Sequence, residues 1–284
     1  MTHTIALMGA GGKMGCRITD RIRKDSAYDV RYVEPADDGR DRLADHGVDT
    51  VTPQEEAIPG ADVVIMAVPD ELLGAIATDV MPTMDAGSMM VLLDPAAAYA
   101  DVIPDRADVS VFITHPCHPS FSTANTSMDD PDTDWFGGNG RDIQDIVCAL
   151  HAGPEADYAT GEAVARDIYA PVRTAHRVTT EQMAILEPAL VETLLGSCLT
   201  ALKEGMDRAI EMGVPPEAAE EMLFGHLRIE LGIIFGYTEF PFSDGAQMAI
   251  DEARTEIFRE DWPDRVFEID RIRRSVDQIA GGEH

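Results

Sequence analysis

The sequence predicts an α/β protein: a doubly wound Rossmann-type sheet over residues 1–178, followed by a smaller all-α domain over residues 179–284. Three observations carry this. A glycine-rich turn, MGAGGKMG, joins an apolar run to a helix-compatible segment near the start. Strands and helices then alternate as far as about residue 178. From Thr180 onward the apolar spacing becomes helical throughout.

The turn is the organising element. Ile5, Ala6, Leu7 and Met8 form a short apolar strand, and CRITDRIRKD follows as a helix. Without a Cβ, Gly9, Gly11, Gly12 and Gly15 let the backbone turn sharply and let a ligand approach the main chain. The N–H groups and positive dipole end of the helix favour a pyrophosphate, so these glycines, with Lys13 and Met14, are assigned to cofactor binding. The spacing departs from the commonest fingerprint, because Met14 stands where a third glycine is usual; Gly9, Gly12 and Gly15 form an equal reading. The next strand, YDVRYVE, ends in Glu34 about twenty residues on, where a carboxylate holds the adenosine ribose. A carboxylate accepts from a free 2′-OH and repels a 2′-phosphate, which favours NAD over NADP. Arg31, Arg40 and Arg42 are near enough in sequence to serve a phosphate, or are solvated surface charge.

After Glu34 come a turn, a short helix and a connecting loop, to about Ala61. Val63 to Val68 reads as a strand apolar on both faces, as a helix-covered parallel sheet requires. Pro69 and Asp70 close it, and Val68, Pro69 and Asp70 are placed at the carboxyl edge beside the cofactor. ELLGAIATDVMPTM is helical, MMVLLDPAAAYA is strand and loop, and VSVFITHPCHPSF is another strand. SMDDPDTDWFGGNGRD reads as an irregular excursion, a lid. DIVCALHAG, PEADYATGEAVARDIY and PVRTAHRVT then read as strand, helix, strand. In the tail, Met183, Leu186, Leu190, Leu194, Cys198 and Leu202 mark a long helix to Gly213, with a kink expected at Pro188. Pro215 and Pro216 open a second helix, Ser243 caps a third, and a fourth begins near Trp262.

At 284 residues and 45% hydrophobic, the chain can bury a substantial core, although its net charge is -30. Acidic residues are spread along the chain, and Lys13, Lys24 and Lys203 are the only lysines. Such a surface keeps a protein soluble where salt screens self-repulsion, which suggests the cytosol of a salt-accumulating organism. It argues against nucleic acid or an anionic membrane as partner. Cys16, Cys117, Cys148 and Cys198 are widely spaced, which fits a reducing compartment. With neither a signal segment nor an apolar run long enough to span a bilayer, a cytoplasmic protein is expected.

His115 and His118 flank Cys117 directly after an apolar strand that should end on the cofactor side. A histidine there is placed to take a proton from a substrate hydroxyl as hydride leaves for the nicotinamide; alternatively the pair shapes the turn between Pro116 and Pro119. His115, Cys117 and His118 are too crowded for the usual zinc spacing, and no metal centre is assigned. Glu181, Gln182, Glu187 and Glu192 lie near the start of the long helix, while His226 and Glu230 share one helix face. These groups could line a substrate or divalent-metal site, or be a solvated acidic face; Glu187, set among apolar neighbours, is retained as a substrate contact. Lys203 is either a general acid or a surface residue.

GAGGKMG, the acidic strand end at Glu34, AVPD, the strand leading to His115 and Pro116, and the helical tail together resemble a known superfamily. It contains 6-phosphogluconate dehydrogenase, β-hydroxyacid dehydrogenases, prephenate dehydrogenase and ketol-acid reductoisomerase. GAGGKMGCRIT, THPCHPS and TEQMAILEPAL are most similar to the group with a phosphogluconate-dehydrogenase-like C-terminal domain, which includes the D-apionate oxidoisomerases. The resemblance implies an NAD-dependent oxidoreductase acting on a small hydroxy acid or sugar acid, with rearrangement of the carbon skeleton, and a helical domain that builds a homodimer. It also supports His115, since a His-Pro pair contacts the substrate hydroxyl in prephenate dehydrogenases. The GxGxxxK segment that supplies the catalytic lysine of 6-phosphogluconate dehydrogenases has no counterpart here. Simple β-hydroxyacid or imine reduction without rearrangement, and a nucleotide-sensing protein without catalysis, are the alternatives.

Overall fold

The computed structural model describes residues 3–25, 27–121, 133–137 and 141–281. Seven strands form one sheet in the order β2-β1-β3-β4-β5-β6-β7. They are β1 (His3–Met8), β2 (Tyr28–Val33), β3 (Val63–Met66), β4 (Met89–Leu92), β5 (Ser110–Pro116), β6 (Gln144–Ala152) and β7 (Val172–Arg177). Every pairing is parallel except β5 with β6. β5 ends at His115 and Pro116 on the carboxyl edge and β6 starts back from that edge at Gln144, so the strand must run antiparallel.

Side-chain alternation along the strands divides the core into two layers. Ile5 and Leu7 point to one face and Ala6 and Met8 to the other, and β3, β4 and β5 repeat the pattern. The first layer is covered by α1 (Lys13–Ile22), through Ile18 and Ile22, and by α6 (Tyr158–Ile168), through Val164 and Ile168. The second is covered by α4 (Asp70–Val80), through Leu73, Ala77 and Val80. Short helices α2 (Asp37–Asp45), α3 (Gln54–Ala57) and α5 (Ala96–Tyr99) complete the connections. α5 occupies a stretch expected as loop; Asp94 accepts from the Ala96 N–H at 2.7 Å and so starts a helix of three alanines and a tyrosine. β3 is two residues shorter than expected, because Ala67 and Val68 already belong to the turn beside Gly9.

The chain divides into two compact units, residues 1–185 with 273–284, and residues 186–272. The sequence boundary at 178/179 differs from this division in two ways. The first turn of the long helix, α7 (Thr180–Ala184), sends Met183 into the second core layer. The end of the chain also returns to the first unit: in α12 (Ile269–Ile279) Val276 is fully buried, and a Cβ on Gly281 would lie 3.0 Å from the Glu71 carbonyl oxygen.

The second unit is helical. Ile185–Leu195 is a π-helical stretch with Pro188 inside it, so a change of helix type stands where a kink was expected. It continues into α8 (Gly196–Glu211), followed by α9 (Pro216–Ile234), α10 (Asp244–Ile257) and α11 (Trp262–Val266). Ser243 caps α10 by accepting from the Ala246 N–H at 3.3 Å. The continuous run Thr180–Glu211 is long and apolar enough, by length and composition, to cross a membrane. That corrects the expectation that no such run exists; Glu187 and Glu192 interrupt the sequence without breaking the helix. Most of the expected lid, 127–142, lies outside the described residues.

Candidate functional site

The chain goes from β1 to β2 on one side and then crosses to β3 on the other, so the carboxyl ends of β1 and β3 border a crevice at the topological switch. Gly9 sits there with φ +68°, and a Cβ on it would lie 2.4 Å from the Ala67 carbonyl oxygen. Only glycine meets both demands. The Gly11 N–H donates to Glu34 Oε2 at 2.9 Å, and the Ala36 N–H donates to Oε1 at 3.0 Å. Glu34 is thus fixed across the mouth of the turn. Gly39 in α2 completes the arrangement, since a Cβ there would fall 2.4 Å from Glu34 Cδ.

A cleft of about 650 Å³ follows, lined by Gly9, Gly12, Glu34, Arg42, Val68 and Pro69 among others. Gly12 caps α1 without a side-chain acceptor, and no acidic residue lies in the first turn, so its N–H groups and dipole face an anion unopposed. Bare backbone at Gly9, a fixed carboxylate and an open helix start fit a dinucleotide. Of the three arginines near Glu34, Arg40 and Arg42 line this cleft while Arg31 does not. Arg42 Nε donates to the Gly11 carbonyl oxygen at 2.8 Å and Nη1 to Asp38 at 2.8 Å. Arg31 instead donates to the Ala57 and Pro59 carbonyl oxygens, holding α3.

On the same sheet edge, His115 at the end of β5 has its Nδ1 2.9 Å from the Leu93 carbonyl oxygen. A carbonyl only accepts, so Nδ1 carries the proton and Nε2 the lone pair. His118, in the left-handed region with φ +60°, donates from Nδ1 to the Phe136 carbonyl oxygen at 2.8 Å. The two imidazole rings lie 6.2 Å apart, edge to face. Burial, with the charges of His115, Arg17 and Lys13, pushes the His118 pKa below the usual histidine range, against the pull of its bond to Phe136. Asp70 opens α4, and burial followed by the Asp94 carboxylate pushes its pKa up, against His115. Burial also pushes the Cys117 thiol up, away from nucleophilic use.

The first unit therefore gathers Gly9, Gly11, Gly12, Gly15, Glu34, Val68, Pro69, Asp70, His115 and His118 along one edge. Lys13 and Met14 begin α1, but neither lines the cleft: Met14 packs against the α1 face of the core, and Lys13 Nζ stands 3.7 Å from the Phe136 ring. Glu187 lies in the second unit, half-buried in the π-helical stretch. Gln182 is spent on a capping box with Thr179, while Glu181 and Glu192 are exposed. His226 and Glu230 are exposed on α9, and Lys203 pairs with Asp207 on the surface of α8. Among the described residues no group of three His, Cys, Asp or Glu side chains could hold a metal ion. Asp94, Gly39, Arg17 and Phe136 escaped the sequence reading. Asp94 had a signal, because LLDP ends β4 much as AVPD ends the β3 segment.

Comparison with known proteins places the chain in a family. Residues 1–126 match the family described as acetohydroxy acid isomeroreductase, NADPH-binding domain, and residues 125–280 match phosphogluconate dehydrogenase (decarboxylating) C-term. The chain is 43% identical over 276 residues to a D-apionate oxidoisomerase of Rhizobium rhizogenes, covering 97% of this chain and 99% of the relative. A D-apionate oxidoisomerase of Cupriavidus necator is 42% identical over 283 residues, covering 99% of this chain and all of the relative. A solved structure of a semialdehyde dehydrogenase NAD-binding protein from Cupriavidus necator, in complex with calcium and NAD, superposes with a TM-score of 0.92. It is 41% identical and covers 98% of this chain and 100% of its own.

Proposed function

The chain belongs to the D-apionate oxidoisomerase family of nicotinamide-dependent oxidoreductases, and from that premise we propose that it oxidises a branched sugar acid of the D-apionate kind and rearranges its carbon skeleton. The observation that carries this is the bond between His115 Nδ1 and the Leu93 carbonyl oxygen, which leaves Nε2 as a base on the cofactor edge of the sheet. When bound, the nicotinamide supplies the hydride acceptor. His115 takes the hydroxyl proton as the carbinol carbon becomes a ketone. In the rearrangement a carbon substituent shifts from the neighbouring carbinol carbon to the new carbonyl carbon. His115 then returns its proton to the oxygen it came from, while His118, kept neutral by burial, accepts the neighbouring hydroxyl's proton. Two imidazoles 6.2 Å apart suit two hydroxyls on adjacent carbons. Asp70 lies close enough to His115 for their charges to interact.

NAD is the proposed cofactor, because the Glu34 carboxylate at the cleft would accept from a ribose 2′-OH and repel a 2′-phosphate. A divalent-metal requirement would rest on helical carboxylates and is tested by chelation. The partner of the helical unit is a second copy of this chain. α8, α9 and α10 bury none of their side chains, and an apolar groove of about 710 Å³ lies between α8 and α9. Such long, partly apolar helices need a cover. A lipid cover is disfavoured by the acidic residues interleaved along them. The site of action is the cytoplasm of a salt-accumulating cell, in keeping with four free cysteines and the net charge of -30.

The test is NADH production from D-apionate at high salt, with and without chelator, and identification of the product by carbon NMR. His115→Gln is expected to lose NADH formation. His118→Gln is expected to form NADH and accumulate the unrearranged keto acid. Wild-type enzyme that releases only an unrearranged keto acid would reduce the reading to simple hydroxyacid oxidation.

A further inference from the structure

α1 carries two cations one turn apart, Lys13 and Arg17, and both face Phe136: Lys13 Nζ lies 3.7 Å and Arg17 Cζ 5.1 Å from its ring centroid. Arg17 also donates to the Gly137 carbonyl oxygen and, at 3.8 Å, to the Met14 sulfur. The same ring borders the histidine pair. Phe136 lies 5.8 Å, edge to face, from His118, which is 6.2 Å from His115. Lys13 has no ion pair or hydrogen bond among the described residues, although the chain holds 52 acidic residues against 22 basic. Burial pulls the Arg17 pKa down and the nearby Asp134 carboxylate pulls it up. Phe136 is meanwhile 45% exposed, a cost that its seat on the cations offsets.

We propose that Lys13 and Arg17 anchor the substrate's carboxylate, with the Phe136 ring holding their place until it arrives. This rests on the sugar-acid reading above. Lys13 and Arg17 lie close enough to His118 for their charges to act on it, so an anionic group of a substrate held at the histidine pair comes within their field. Lys13 is thereby removed from cofactor binding, in keeping with its absence from the cleft beside Glu34. Guanidinium and ammonium together give a carboxylate a bidentate and a point-charge partner.

The experiment titrates D-apionate into the NADH complex of the wild type, Lys13→Met and Arg17→Met, following nicotinamide fluorescence, beside a separate titration of NADH alone. Each variant is expected to weaken D-apionate binding about 10- to 100-fold, the loss of one charge-assisted hydrogen bond, while NADH affinity stays within about twofold. Lys13→Arg is expected to recover most of the loss. Equal D-apionate affinity in wild type and variants, or a loss of NADH affinity matching that of D-apionate, overturns the anchor while leaving the proposed reaction standing. No D-apionate binding to the wild-type complex overturns both. Binding that depends on Lys13 and Arg17 without turnover keeps the anchor and rejects the reaction.

Discussion

Replacing Glu34 by glutamine is expected to exchange the nicotinamide preference without disturbing the fold. The carboxylate accepts from two backbone N–H groups, Gly11 at 2.9 Å and Ala36 at 3.0 Å, and faces the cleft. A carboxamide has one oxygen to offer, so one of those N–H groups loses its acceptor, and the ribose contact changes from charged to neutral. A hydrogen bond to a charged group contributes about 1.5–3 kcal/mol, so NADH should bind about 10- to 100-fold more weakly. The phosphate side has the opposite sign. A carboxylate and a phosphate charge about 4 Å apart repel by about 1 kcal/mol in water and about 4 kcal/mol at a partly shielded surface, and Glu34→Gln removes that. Arg40 and Arg42 already line the cleft, and Glu34→Gln removes one of the carboxylates facing them, although Asp37 and Asp38 remain their partners. NADPH should therefore gain while NADH loses, and the gain should shrink as salt rises, since about 1 M salt screens charges beyond about 3 Å. Fluorescence titration of both reduced cofactors at several salt concentrations reads this. An unchanged NADH affinity, or a loss equal for both cofactors, would refute the reasoning.

Gly39→Ala should weaken NADH about as much as Glu34→Gln, because its Cβ would drive Glu34 Cδ from its seat, yet it should give NADPH no advantage. Titration of the two cofactors separates the variants. His115→Gln should lower kcat by about 10²- to 10⁴-fold with NADH affinity intact, and a smaller loss would assign the base elsewhere. For stability, His118 has a folded pKa below its unfolded value, so the unfolded chain binds more protons between the two; stability is complete above about pH 6.5 and falls as pH drops below it. His118→Gln should flatten that slope in chemical unfolding run at several pH values. Sedimentation at high salt should find twice the 30.9 kDa chain mass, and Met222→Glu in the α8–α9 groove should halve it while leaving NADH affinity unchanged.

Legibility followed the reach of each interaction along the chain. The glycine turn, Glu34, and the strand ends at Asp70 and His115 could be read because they depend on local backbone chemistry. The two-layer sheet could be read because alternation along each strand is also local. Gly39 could not, since its need for hydrogen arises from a side chain in another element. Arg17 and Phe136 could not either: their contact joins residues 119 positions apart in sequence, and neither end announces the other. The reversal of β6 was hidden because apolar runs look alike in both directions. Lys13 was assigned to the pyrophosphate by its place at a helix start, where its backbone N–H belongs, but its side chain leads elsewhere. The long apolar helix was underestimated because scattered carboxylates mask its mean hydropathy of 1.5 over the best window.

The return of α12 to the first unit sets an order of events during synthesis. Val276 belongs to the nucleotide unit and is fully buried, and Gly281 closes against the first turn of α4. A ribosome delivers the sheet, the glycine turn and both histidines long before it delivers residues 273–284. Until residues 273–284 are made, the nascent nucleotide unit lacks Val276 and the close approach of Gly281 to Glu71. A nucleotide unit built from two separated segments is completed only after the helical unit between them has been made. Removing residues 273–284 would leave His115 and His118 encoded and the unit that holds them without Val276.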